Sequence, residues 1–189
     1  MIMVSVRGQG EQRAILFSGD IGRRNAPILR DPTTFTEADY VLVEATYGDR
    51  LHEGSSEVAE HLAAVVNSTL NNGGNIIVPS FALERAQEVL YYLNKLLIDG
   101  RIPRVMVFVD SPMAVRVTQV FERHPDLYDQ EMLKLMRTNR SPFDFPGLKM
   151  VHTIDESKAI NQIKGSAMII AGSGMCTGGR IKHHLAANI

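Results

Sequence analysis

The 189-residue chain has one cysteine, Cys176, and no tryptophan. A single thiol excludes an internal disulfide and any cysteine-built zinc site, because each needs several thiols. An excess of either charge is missing too. Lys and Arg number 20 against 21 Asp and Glu, a formal net charge of -1, so composition advertises neither nucleic-acid nor acidic-membrane binding. Any phosphate-binding surface must be local. No uncharged apolar stretch approaches the roughly 20 residues of a membrane helix, and no signal-peptide core opens the chain. A soluble, cytoplasmic protein without a membrane partner is expected. Repeats and low-complexity segments are absent. What is present is a 44% hydrophobic content, enough for a sizeable core.

Two rhythms divide the chain. Residues 1–6 and 14–18 read as strands around a charged, two-glycine connection suited to a hairpin. Residues 40–45 read as a third strand, after a polar loop broken by Asp31-Pro32. From about residue 54 the pattern becomes helix, strand, helix, strand, as in parallel βα units. Helices are predicted over 55–72, from after residue 79 to Asp99-Gly100, from Pro112 with Ser111 as cap, over 127–136, over 155–163, and from about 179. Strands are predicted over 75–79, 105–109, 148–152 and 167–171. The expected fold class is α/β, a β-rich piece followed by a mostly parallel, Rossmann-like βα domain. In open parallel sheets ligands bind beyond the carboxyl ends of the strands. The turns Pro79-Ser80-Phe81, Asp110-Ser111-Pro112 and Ala171-Gly172-Ser173-Gly174 therefore predict one rim carrying Ser80, Asp110, Ser111 and Ser173.

Several residues could carry chemistry. Asp20 follows a strand between two glycines, where a carboxylate can face a metal, although on the fragment alone a plain Gly-Asp turn is the favoured account. Glu44 closes an apolar strand and so requires a partner. The glycine-rich run from Gly172 to Arg180 joins a strand to a helix, a place where backbone N–H groups meet anions. Its spacing fits G-x-G-x-x-G only loosely, which disfavours a dinucleotide site. Cys176 in that run reads as an ordinary small residue. His52, His61, His124, His152, His183 and His184 form neither H-x-H nor H-E-x-x-H, so no histidine metal site assembles locally. Arg85 and Arg180, each just after a rim turn, are the best phosphate candidates among the cations.

The ordered blocks Leu16-Phe17-Ser18-Gly19-Asp20-Ile21-Gly22-Arg23, Val43-Glu44-Ala45-Thr46-Tyr47-Gly48-Asp49-Arg50, Val78-Pro79-Ser80-Phe81-Ala82-Leu83-Glu84-Arg85, Asp110-Ser111-Pro112-Met113-Ala114 and Ser173-Gly174-Met175-Cys176-Thr177-Gly178-Gly179-Arg180 together resemble the β-CASP family of the metallo-β-lactamase superfamily. Ribonuclease J and the cleavage and polyadenylation nuclease subunit belong to that family. The resemblance implies a partial metallo-β-lactamase domain over 1–50 and a β-CASP domain over 51–189 lacking its C-terminal part. It also implies hydrolysis of RNA phosphodiesters by a water activated on two zinc ions. Asp20 matches the aspartate that bridges both metals, and Glu44 the acid that orients a histidine beside the scissile phosphate. Ser80, Arg85, Ser111, Ser173, Gly174 and Arg180 are the expected contacts to RNA phosphate.

The family's H-x-H-x-D-H run and its later histidines do not occur in the chain, and the chain stops at Ile189 in an uncapped helical pattern. An internal fragment is therefore expected, inactive by itself and unable to hold zinc tightly. The rival reading is a non-catalytic β-CASP paralogue serving as an RNA-binding or scaffold subunit. A free-standing nucleotide-binding module is disfavoured by the glycine spacing. Homo-oligomerisation, the RNA class, acceptance of DNA, and endo- against exonucleolytic cutting stay open.

Overall fold

The computed structural model describes residues 1–50 and 57–189. His52 and the first residues of the helix predicted over 55–72 lie outside the described residues. Strands β1 (Ile2–Gly8) and β2 (Glu11–Phe17) form the predicted hairpin, with Ile2 opposite Phe17 and Gly8 opposite Glu11. Gln9 and Gly10 close it with φ of 50° and 84°. Two positive φ values in a two-residue loop match the right-handed twist of the strands. Strand β3 (Tyr40–Leu42) runs parallel to β2 and is shorter than the predicted 40–45. Its ladder ends because the next partner is a side chain: Ser18 N–H donates to the Leu42 carbonyl at 2.9 Å, and Ser18 Oγ accepts from Glu44 N–H at 3.0 Å.

The second sheet contains β4 (Ile76–Pro79), β5 (Met106–Asp110), β6 (Leu148–Met150) and β7 (Ala167–Ala171). All pairs are parallel, in the order β4-β7-β5-β6. The helices are α1 (Val58–Asn71), α2 (Arg85–Ile98), α3 (Pro112–Arg123), α4 (Gln130–Arg137), α5 (Ile154–Ile160) and α6 (Ile181–Asn188). Side chains alternate across a strand, and β7 uses both of its faces. Met168 and Ile170 enter the larger core with Val107, Val109, Leu90 of α2 and Met132 of α4. Ala167, Ile169 and Ala171 face a smaller core with Phe108, Ile160 of α5 and Ile181 of α6. The domain is thus an α/β sandwich with helices on both faces.

Local chemistry sets the element ends. Ser111 Oγ accepts from Ala114 N–H at 3.3 Å with Pro112 at the first helical position, as predicted. The helix predicted over 127–136 starts later: Pro125–Leu127 is a 3-10 turn, and Asp129 caps α4 by accepting from Met132 N–H at 2.7 Å. The strand predicted to reach 152 stops at Met150, because Thr153 and Glu156 form a reciprocal capping box that begins α5. From the N-terminal part, Ile28 enters the larger core and Leu29 packs against it. Ile28 is 1% exposed at φ 80° and is clamped by Asp129 N–H donating to its carbonyl at 2.9 Å, beside a bridge between Leu29 and Tyr128.

Candidate functional site

Placing β7 between β4 and β5 brings three strand ends together. Their turns enclose a cavity of about 350 Å³ whose lining includes Ser80, Phe81, Ser111, Met113, Ser173 and Arg180. The rim expected from the sequence therefore exists as one concave surface. Ser80, Ser111, Ser173 and Arg180 meet on it; Gly174 and Arg85 do not line it. Gly174 lies under the Phe81 ring, since a Cβ at 174 would stand 2.7 Å from Phe81 Cδ2. Arg85 sits at the start of α2, largely exposed, paired with Glu88 at 3.1 Å. Glu88 also takes Arg23, so both cations there are committed to one largely buried carboxylate.

At the floor of the cavity, whose lining also includes Asp110 as expected, is a polar cluster whose full extent sequence reasoning missed. Asp110, the last residue of β5, is wholly buried. Its carboxylate accepts from Ser157 Oγ at 2.5 Å, Arg180 Nη1 at 2.5 Å and His184 Nε2 at 2.6 Å. Burial alone would raise its pKa, but the bonds from His184, Ser157 and Arg180 outweigh it and hold the carboxyl below the usual aspartate value. A carboxylate facing His184 Nε2 requires the proton on that nitrogen. Arg180, expected as a contact to phosphate, pairs through one N–H with Asp110, its side chain 20% exposed. The usable signal was spacing: Arg180 and His184 are four apart and share a helix face.

The turn between β7 and α6 closes on itself. Ser173 N–H donates to the Gly178 carbonyl at 3.1 Å and Ile181 N–H to the Gly172 carbonyl at 3.0 Å. Gly179 has φ 76°, and a Cβ there would stand 2.4 Å from the Gly172 oxygen, so only glycine fits. Ser173 Oγ is enclosed with no partner among the described residues, and the Phe81 and Gly174 amides donate to no backbone acceptor among them. Cys176 is half-buried against the smaller core.

The acidic loops differ in kind. Asp20, three residues past β2, is exposed. Glu44, two residues past β3, is also exposed; its Oε1 accepts from Ile21 N–H at 3.3 Å and its Oε2 from Thr46 N–H at 3.0 Å. The bonds from Thr46, then Ile21, hold this carboxyl below the usual glutamate range. The partners that Glu44 required are thus the Thr46 side chain and the Thr46 and Ile21 amides, and the bond to Ile21 ties its loop to that of Asp20. Among the described residues no three His, Cys, Asp or Glu side chains cluster closely enough to hold a metal. Asp20 does not acquire the remaining ligands of an ion from its described neighbours.

The Beta-Casp domain family matches residues 86–189, more than half of the chain. The chain belongs to the β-CASP family. Ribonuclease TTHA0252 of Thermus thermophilus is 41% identical over 180 residues, covering 95% of this chain and 41% of that protein. Transcription termination factor FttA of Lokiarchaeum sp. is 31% identical over 185 residues, covering 95% of the chain and 28% of the relative. Endoribonuclease YSH1 of Eremothecium gossypii is 28% identical over 176 residues, covering 87% and 22%. The chain spans less than half the length of each. Within this β-CASP chain, Asp110, Ser111, Ser173, Arg180 and His184 fall inside the matched segment, whereas Ser80, Asp20 and Glu44 precede it. No helix among the described residues is long and apolar enough to cross a membrane.

Proposed function

We propose that this β-CASP chain is the core of a metal-dependent ribonuclease that hydrolyses RNA phosphodiester bonds in the cytoplasm. The observation that carries the reading is the convergence of Ser80, Ser111, Ser173 and Arg180 on one cavity in a chain 41% identical to a ribonuclease. Hydroxyls, open amides and a guanidinium suit phosphate oxygens and carry no base code, so the contacts would be sequence-tolerant and salt-sensitive. Residues 1–50 would supply a metallo-β-lactamase portion and 51–189 the β-CASP portion. Two zinc ions are the expected metals, with Asp20 as one ligand; the described residues do not complete such a site, and no catalytic step is assigned to it. Glu44, anchored by backbone amides, would present a fixed carboxylate edge beside Asp20.

Because the chain by itself is expected to be inactive, the test uses end-labelled RNA with and without chelator on the full-length protein that contains it, comparing the natural sequence with Asp20→Ala. Chelator-sensitive cleavage abolished by Asp20→Ala supports the reading. RNA binding that persists without cleavage under metal-replete conditions would replace it with that of an RNA-binding subunit.

A further inference from the structure

Phe81 is the one aromatic residue lining the cavity, and burial does not explain its position. It directly follows Ser80 beyond β4 and is 57% exposed, yet its ring is held in place. Its Cδ2 and Cε2 lie 2.7 and 2.8 Å from where a Cβ of residue 174 would be, so the bare backbone of Gly174 supports one part of the ring and the rest stays open. Met113, 68% exposed, adds a polarizable thioether to the same cavity. The polar part of the lining is Ser80, Asp110, Ser111, Ser173 and Arg180; the Asp110 carboxylate is taken up by Ser157, Arg180 and His184 and Ser80 Oγ donates to the Phe81 carbonyl, which leaves Ser111, Ser173 and Arg180 to meet an anion. Arg180 spends one N–H on Asp110 and, of the five a guanidinium carries, keeps others to donate.

An aromatic surface beside hydroxyls and a guanidinium divides the cavity into an apolar and an anion-accepting part. A nucleotide divides the same way, into base and ribose phosphate. About 350 Å³ holds one nucleotide, and a duplex would keep its base faces stacked out of reach of Phe81. We infer that Phe81 is a stacking platform for one unpaired base of single-stranded RNA, whose phosphate is taken by Ser111, Ser173 and Arg180. The inference rests on the RNA reading above and narrows it to single strands, bound without base identity because a stacked base offers only its π-face.

The absence of tryptophan makes the test direct, since Phe81→Trp installs the sole indole. The full chain carrying it is titrated with a 12-nucleotide oligouridylate, an RNA duplex of equal length, and an abasic ribose-phosphate oligomer, following fluorescence and anisotropy. The single strand should quench the introduced indole; the duplex and the abasic oligomer should bind more weakly and leave it unquenched. Phe81→Ala should weaken single-strand binding about 5- to 150-fold with an unchanged melting temperature. Gly174→Ala should weaken it too, by displacing a ring that is still present. If the wild-type chain binds none of the three oligomers, the RNA reading fails. If it binds the single strand but Phe81→Ala or the abasic oligomer binds as tightly, the stacking inference alone fails. Indole emission from Phe81→Trp that is already blue-shifted without RNA and insensitive to it would mean that protein covers this face, and would overturn the inference as well.

Discussion

The two sheets use similar strands in opposite surroundings. All five residues of β7 are buried, whereas Tyr40, Val41 and Leu42, the whole of β3, are 58%, 59% and 53% exposed. Both strands are apolar, so residue type did not decide burial. The difference is cover: β7 has strands on both sides and helices on both faces, while the three-stranded sheet has no described helix lying across it. The acids obey the same division. Asp110 in the covered sheet is enclosed by three side-chain donors from distant parts of the chain, and Glu44 beyond the uncovered one is exposed and held by the Ile21 and Thr46 amides and the adjacent Thr46 side chain. Stability should therefore be concentrated in the parallel sheet.

The largest expected loss tests that division at its polar centre. Asp110→Ala leaves Arg180 and His184 facing an empty position and should cost about 3–5 kcal/mol in chemical denaturation, as when a buried ion pair is broken. The wild-type contribution also has a pH limit. Because Asp110 sits below its usual value of 3.8 in the folded state, its stabilisation is present above that value and is lost as pH falls below it, when the unfolded chain takes the proton first. Asp110→Asn should lack that acid limb. A smaller effect compares the cores: Ile170→Ala should cost about 2–5 kcal/mol, and Val41→Ala less than about 0.5 kcal/mol. Equal losses for the two would break the comparison.

At alkaline pH the sign reverses. Tyr128, buried with its hydroxyl donating to the Phe121 carbonyl at 2.7 Å, is pushed by burial up to about 12 from 10.0. Its stabilisation holds below about pH 10 and declines as pH rises towards 12, and Tyr128→Phe should flatten that limb at a cost of about 1 kcal/mol at neutral pH. The smallest change in stability should come from Glu44→Gln, which leaves the denaturation midpoint at neutral pH where it was. Its effect belongs to the proposed reaction, a cleavage rate lowered about 10- to 100-fold, read in the end-labelled RNA assay.

Much of the fold was legible because the relevant interactions are local. Ser111-Pro112 marks a helix start, Asp99-Gly100 an end, and the apolar run 167–171 a buried strand, each within a few residues. The boundaries that moved did so where a competing local bond won, as at Ser18 against β3 and Thr153 against β6. The candidate site was legible only as a set of turns. That Arg180 is bound to Asp110, and that Gly174 serves Phe81, depends on partners far away in sequence.

By itself the sequence determined the alternation of strands and helices, the polar turn after each strand, and the family blocks that run through them. Capping, turn chemistry and hydrophobic period act within a window of a few residues, and each was written there. The tertiary structure decided that β7, the last strand in the chain, lies between β4 and β5, joining three distant turns into one cavity. It also decided that Asp110 meets Arg180 and His184, 70 and 74 residues away. Those choices come from burying both faces of one sheet at once, a condition that only the assembled layers can meet.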